Sequence, residues 1–342
     1  MRVFVTGGTG EIGRPAVSSL VSRGHVVHVA SRGTDNDKLI LSMGAVPLRV
    51  DLFDRTSVQA AVAEAEAILH LATRIPPTAE MGDPASWVEN DRLRRETTAD
   101  LIEAAVGHGV KVFVLQSYFA VGAPEADRWV DDRTRLPAPP WSRIGAMESM
   151  REAELAMAAL KSAGTRAVTL RFGSLYSETS EQLHAQVAAL LSSEPLHVVG
   201  SGENFWPFIA SRDAGEAVSH ALMLPTGTYW VSDDAPVSVR AFWEMAAATL
   251  EVDPLRFGAP GAGPMADILL GSWRISNRRF RHAARWTPQE ASVLEGWPRA
   301  VHRLLAEWAA PEPDSSACAN AHPSSALASL SVGALRRPQI TM

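Results

Sequence analysis

The chain has 342 residues, 46% hydrophobic and 20% charged, which suits a soluble globule of one large or two ordinary domains and excludes wholesale disorder. With 32 Lys and Arg against 38 Asp and Glu the net charge is −6, so the basic excess of a general nucleic-acid binder is missing. The single cysteine, Cys318, excludes a disulfide framework, a cysteine zinc site and an iron–sulfur cluster. No apolar run approaches the ~20 residues that cross a bilayer and no basic-then-apolar leader opens the chain, so a cytoplasmic protein without a membrane partner is expected.

Short apolar runs alternate with helix-like runs through the first half. Strands are expected at Arg2–Thr6, Val26–Ala30, Ala45–Val50, Ala67–Ala72, Val110–Gln116 and Ala167–Arg171. Between them, Ile12–Arg23, the charged stretch Trp87–Val106 and Ala146–Lys161 have helical spacing. That alternation predicts an α/β Rossmann-type doubly wound parallel sheet, with ligands at the carboxyl ends of its strands. Residues 1–171 form the expected dinucleotide-binding domain. Residues 172–310 are shorter strands (His197–Val199, Thr228–Val231) and helices (Ala214–Met223, Val239–Leu250), expected as a smaller α/β capping lobe interwoven with the first. Residues 311–342 are rich in small and polar residues and are expected to form a flexible tail.

Thr6–Gly13 reads TGGTGEIG, after the first strand and opening the first helix. A side chain at Gly7 would block the tight turn, one at Gly10 would hold the backbone off a pyrophosphate, and one at Gly13 would hold the helix off the strand. The helix N-terminus then receives the anion. An NAD site places an acid at the end of the second strand, for the ribose 2′-hydroxyl. Here Ser31-Arg32 stands there, and Arg32, with Arg14 in reach, suits a 2′-phosphate, which favours NADP over NAD. Asp51 can meet the adenine amino group or cap the segment from Arg55. The cofactor candidates are Gly7, Thr9, Gly10, Glu11, Ile12, Gly13, Arg14, Ser31, Arg32, Asp51, Leu52, Leu71, Ala72, Thr73 and Phe172.

TGGTGEIG, Asp51-Leu52, His70-Leu71-Ala72-Thr73, Val112–Gly122 (VFVLQSYFAVG), Leu170–Tyr176 (LRFGSLY) and Phe208–Ala217 (FIASRDAGEA) come in the order of the extended short-chain dehydrogenase/reductase family. The chain resembles this family of NAD-dependent epimerases and dehydratases over roughly residues 1–300. The resemblance implies a serine and a tyrosine on the substrate oxygen, with a lysine four residues after the tyrosine. A phenol with a pKa near ~10 needs such a cation to act near neutral pH. It also implies dimerisation through two long helices, so a homodimer is an expectation.

Ser117 matches the serine. By spacing, Trp141 stands where the tyrosine belongs and Gly145 where the lysine belongs. Residues Gly122, Ser180 and Asp233 follow the 3 tyrosines by four positions, so no Tyr-x-x-x-Lys pair exists in any alignment. Tyr118, Tyr176 and Glu148 are the candidate replacements, with Ser117 as the substrate contact. If its strand stays extended, Tyr118 faces away from Ser117. Trp141 and Trp206 are candidates to enclose a flat, apolar substrate. His25 and His28 read as core or edge histidines and no metal site is expected.

These features point to an atypical NADP-binding oxidoreductase of the epimerase/dehydratase type, with a small organic substrate and secondary metabolism as a candidate setting. Two alternatives stay open. One is a non-redox isomerase, lyase or cyclase that keeps NADP as a structural fixture. The other is a catalytically silent NADP-sensing regulator.

Overall fold

The computed structural model describes residues 1–122, 128–131, 134, 145–192, 196–253, 255–261 and 263–309. Met1–Leu304 form one compact unit and Leu305–Met342 a second, of which residues 305–309 are described. The expected tail and Trp141 therefore lie outside the described residues.

The chain begins with β1 (Arg2–Thr6), α1 (Gly13–Ser22), β2 (Val26–Ser31), α2 (Thr34–Ser42), β3 (Val46–Arg49), α3 (Arg55–Val62) and β4 (Ala67–His70). Next come α4 (Val88–Arg92), α5 (Thr98–Gly107), β5 (Val112–Tyr118), β6 (Trp129–Val130), α6 (Gly145–Ala156) and β7 (Arg166–Phe172). The remainder begins with β8 (Ser174–Tyr176), α7 (Glu181–Leu190), β9 (His197–Val199), β10 (Phe205–Trp206), β11 (Phe208–Ala210), α8 (Ser211–Ala221) and β12 (Gly227–Val231). It ends with β13 (Val237–Ser238), α9 (Val239–Thr249), β14 (Arg256–Ala259), α10 (Gly263–Leu270), β15 (Arg274–Ile275), α11 (Arg278–Ala284) and α12 (Val293–Ala309).

Seven strands form one parallel sheet in the order β12-β7-β5-β4-β1-β2-β3. Strand order reverses between β1 and β4, and the crevice outside their carboxyl ends is where such sheets bind ligands. Side chains alternate between the two faces, and both are buried. Val3, Val5, Val112 and Val114 pack with Val17 and Leu20 of α1 and Val218 of α8. Phe4, Ile68, Phe113 and Leu115 pack with Val58 of α3, Leu101 of α5 and Ala153 of α6. Two-sided burial is why these strands read as unbroken apolar runs. β12 comes from beyond residue 172 and closes one sheet edge, pairing with β7 from Gly227↔Val168 to Val231↔Phe172. The other late strands make two-stranded pairs: β8 with β11, β9 with β14, β6 with β15, and β10 antiparallel to β13.

The expected single helix over Trp87–Val106 is divided. A 3-10 turn at Pro84–Trp87 leads into α4, and a π-helical turn at Leu93–Thr97 separates α4 from α5. The wide turn turns the Leu93 carbonyl inward, where it accepts from His70 Nε2 and Thr98 Oγ1, each at 3.4 Å. Wide turns of this kind collect at functional sites.

Candidate active site

The glycine turn spans β1 and α1 as its spacing predicts. Gly7 has φ +69°, and a Cβ there would stand 2.6 Å from the Ala72 amide nitrogen. A Cβ on Gly13 would stand 2.1 Å from the Gly7 carbonyl oxygen. Gly10 differs: among the described residues its Cβ would meet only the Gly7 carbonyl oxygen, at 3.3 Å, so its face is open. No side chain caps α1, and no acid occupies its first turn. An open glycine face at an uncapped helix N-terminus, at the switch point of a parallel sheet, fits a dinucleotide pyrophosphate. Leu71, Ala72 and Thr73 border the turn; the Leu71 amide donates to the Thr6 carbonyl and the Ala72 amide to Thr6 Oγ1.

Two side chains of the turn go elsewhere. Glu11 accepts from Ser177 Oγ and Ser211 Oγ, and Arg14 donates to Thr179 Oγ1 at 3.2 Å. Both face a cavity of about 480 Å³ bounded by α1, the segment after β8, α8 and α12. Arg14 therefore does not join Arg32, and from Glu11 only the backbone remains for a cofactor. Thr9 and Ile12 stay within the turn, with Ile12 as the buried residue before α1.

At the end of β2, Ser31 is buried and donates to Asp37 Oδ1 at 2.5 Å. Arg32 is exposed, and its ion pair with Glu89 is long, at 3.4 Å. Such a pair is worth little in water, so the guanidinium is available to a phosphate. Asp51 accepts from the Phe53 amide through Oδ1; the cap of α3 is Asp54, which accepts from the Thr56 amide. The Leu52 carbonyl accepts from Thr97 Oγ1. Phe172 is buried at the end of β7.

The four residues nominated for catalysis are not brought together. β5 stays extended through Tyr118, so Ser117 and Tyr118 face opposite sides of the sheet. Ser117 is 1% exposed and donates to Glu154 Oε1 of α6 at 2.5 Å. Glu154 in turn takes two bonds from Arg171, at 2.9 and 2.6 Å. Arg171 is the register neighbour of Ser117 on β7, and its guanidinium lies over the Trp230 ring at 4.9 Å. Tyr118 is placed 3.4 Å from Ser174 Oγ, and burial pushes its phenol up to about 12. Glu148 lies exposed on α6, 3.6 Å from Arg95, whose charge also draws Glu152 and Asp91. The carboxylate that reaches Ser117 is thus Glu154, not Glu148. Tyr176 is buried against Gly296, its hydroxyl has no partner among the described residues, and burial followed by the charges of Asp233, Glu290 and Asp213 raises its pKa.

Two buried groups support the ends of β4 and β5. Arg94, in the π turn, donates to the Gln116 carbonyl at 2.6 Å, and burial lowers its pKa to about 10. His70 is bonded to Thr6 Oγ1 at 2.7 Å; burial, then the Arg94 charge, lowers it to about 3, so it is neutral. Trp206 packs edge-on against Phe119 and Trp273, with ring centroids at 5.5 and 6.2 Å, and Tyr118 lies 4.3 Å from Phe119. The Trp206 indole nitrogen is buried without a partner among the described residues. Sequence reasoning missed Arg94, Glu154 and Arg171, because pairing across 17 to 37 residues leaves no local motif; the one available signal was Arg171 at the end of a strand beside that of Ser117.

Fold and turn define a nicotinamide-dinucleotide-binding α/β protein of the extended short-chain dehydrogenase/reductase type. The profile of the NAD dependent epimerase/dehydratase family matches residues 3–229, and the chain belongs to that family. It is 30% identical over 317 residues, 87% of this chain and 100% of the relative, to the 3-diazoavenalumate denitrifying reductase of a Streptomyces species. A ketoreductase of Stigmatella aurantiaca acting on a 4-hydroxy-2-methyl-3-oxo-4-farnesyl-3,4-dihydroquinoline-1-oxide is 25% identical over 249 residues, 71% of each chain. Among solved structures, the UDP-glucose 4-epimerase of Thermus thermophilus in complex with NAD superimposes with a TM-score of 0.68 at 24% identity, over 89% of this chain and 99% of that one. The UDP-glucose 4-epimerase of Thermotoga maritima with UDP-glucose gives 0.71 at 18%, over 90% and 99%. The chain is thus an enzyme of the epimerase, dehydratase and reductase kind. Among its described residues no helix is long and apolar enough to cross a membrane, and no cluster of metal-ligating side chains occurs.

Proposed function

We propose that the chain is an NADPH-dependent reductase whose substrate accepts hydride without a proton from the protein, and that this substrate is an aromatic diazonium, from which dinitrogen leaves. The principal support is the hydroxyl at the end of β5. Ser117 has one hydrogen and gives it to Glu154, so anything else that reaches its oxygen meets lone pairs. The missing Tyr-x-x-x-Lys pair removes the second usual donor, and Tyr118, raised to about 12, is a poor acid on the opposite face. A carbonyl reduced here would become an alkoxide with no group to protonate it.

Arg32, the backbone of Gly10–Gly13, and Leu71–Thr73 would hold the dinucleotide. Arg32, and the lack of an acid at the end of β2, supports NADP over NAD. When bound, the reduced nicotinamide supplies a hydride. A diazonium arene already has both the positive charge and the leaving group: the carbon–nitrogen bond breaks with its pair going to dinitrogen, and a carbon–hydrogen bond forms from the hydride pair. Charge balances with no proton moved. The relative that is 30% identical and is called a denitrifying reductase of a diazo acid supports the same chemistry. The half-buried Trp206, held edge-on by the buried Phe119 and Trp273, offers an aromatic surface to a flat ring.

The test is to mix the purified protein with 4-carboxybenzenediazonium and NADPH deuterated at C4, and to measure dinitrogen and the arene. Expected is dinitrogen release above the protein-free rate, with deuterium on the ring carbon that lost nitrogen. Reduction of simple aryl ketones, with no dinitrogen above background, would overturn the proposal.

A further inference from the structure

Behind the Ser117–Glu154 pair lies a cavity of about 370 Å³ that the dinucleotide cradle does not use. It is bounded by the residues after β5, by α6, and by the outer strands β7 and β12. Its charges differ in how far they are satisfied. Arg171 donates two bonds to Glu154, which neutralises it, and rests on the Trp230 ring. Asp131 accepts from the amide and hydroxyl of Thr134, at 3.0 and 2.9 Å. Arg151 has no such partner: its contact is with the Val121 carbonyl at 3.5 Å, and no carboxylate among the described residues pairs with it. Beside it Leu155, one helical turn further along α6, is 70% exposed. A concave site lined by a guanidinium with no carboxylate partner among the described residues, and by an exposed leucine, complements an anion joined to an apolar body. A single planar fork matches a carboxylate, which it can bind with two parallel bonds. The volume is in the range of small-molecule sites.

We infer that this cavity is a carboxylate subsite: Arg151 holds the acid group of an aromatic carboxylate, with the ring against Leu155. Glu154 is both its inner wall and the partner of Ser117, so one side chain separates the bound acid from the end of β5. The inference rests on the proposed reductase only in taking the bound acid to be the one that is reduced; binding itself requires no cofactor and no turnover.

The experiment is calorimetric titration of the purified full chain with trans-cinnamate and with its neutral amide, without dinucleotide. Cinnamate is expected to bind at least ten-fold more tightly than cinnamamide, and Arg151→Met is expected to abolish that preference. Arg151→Lys should retain part of it, as a point charge without the fork. Leu155→Glu supplies an internal carboxylate four residues along the helix and should block cinnamate while leaving the melting temperature unchanged, since Leu155 is exposed. Equal binding of acid and amide, or cinnamate affinity unaltered in both Arg151→Met and Leu155→Glu, overturns the subsite. Failure of diazonium turnover with cinnamate binding intact overturns the reductase reading and leaves the subsite standing.

Discussion

Gly10→Ala separates what the glycine turn does for the fold from what it does for a cofactor. Gly10 is not among the glycines with positive φ, so alanine can adopt its backbone. The new Cβ would stand 3.3 Å from the Gly7 carbonyl oxygen, within about 0.1 Å of an ordinary contact. The unliganded variant should therefore match the wild type, or gain up to ~1 kcal/mol from a stiffer unfolded chain. Its methyl group would occupy the open face, where the pyrophosphate is expected, so the Kd for NADPH should rise at least ten-fold, about 1.4 kcal/mol. At a concentration 100 times the wild-type Kd, bound ligand stabilises by about 2.7 kcal/mol; after a ten-fold loss, about 1.4 remains. Thermal melts with and without NADPH read that difference, at roughly 2–4 °C per kcal/mol for chains approaching this size. Gly13→Ala is the contrast. Its Cβ would stand 2.1 Å from the Gly7 carbonyl oxygen against an ordinary 3.4 Å, so α1 must move by about 1.3 Å. That overpacking costs ~1–3 kcal/mol, and the unliganded melt should fall as well. Should Gly10→Ala bind NADPH like the wild type, the dinucleotide does not lie on this turn.

Arg32→Ala should weaken NADPH at least ten-fold and leave NADH unchanged, measured by titration of both coenzymes; equal effects on the two would place the 2′-phosphate elsewhere. His70 is held neutral with a folded pKa of about 3, against an ordinary value of 6.5. Between those values the unfolded chain takes a proton that the fold refuses, so stability is full above the ordinary value and is lost as pH falls toward 3, by up to ~1.4 kcal/mol per pH unit. His70→Gln should flatten the pH dependence of urea unfolding from about pH 6.5 downward, and an unaltered slope would show that His70 is not the group responsible. Arg171→Met leaves Glu154, 12% exposed, without its counter-charge and should cost ~3–5 kcal/mol. The double change Glu154→Leu with Arg171→Met should recover most of it, which a urea double-mutant cycle measures; additive losses would deny the coupling.

Strands β1, β2 and β7 appear within one residue at either end of where the apolar runs place them, and the glycine turn lies where its spacing puts it. Both depend on local rules: two-sided burial makes a strand a continuous apolar run, and a turn that must approach a ligand closely requires glycine. The proposed pyrophosphate cradle consists largely of backbone, so it is written in residues that lack side chains. The long helix over Trp87–Val106 was legible as helix, but its π turn was not, since that depends on His70 and Thr98 drawing on one carbonyl. Arg14 and Glu11 are next to the right turn yet point out of it, toward Thr179, Ser177 and Ser211, which lie 165 to 200 residues away.

The proposed chemistry at the end of β5 is harder to read, because it depends on where a single hydrogen goes. From sequence, Ser117 is a hydroxyl at the position where the family resemblance implies a contact to the substrate oxygen. In the fold, α6 brings Glu154 against it and β7 brings Arg171 against Glu154, which fixes the hydroxyl as a donor to protein. Nothing in the residues around Ser117 encodes that change; it follows from helix phase and strand register acting together. Glu148 and Glu154 are both carboxylates of α6, six positions apart. At 100° per residue this is about 600°, or some 120° from the same face. That angle leaves Glu148 in water beside Arg95 and puts Glu154 beneath the helix with Ser117. A carboxylate so placed takes the hydrogen that a carbonyl substrate would need, and an acceptor that already has its own positive charge does not need it.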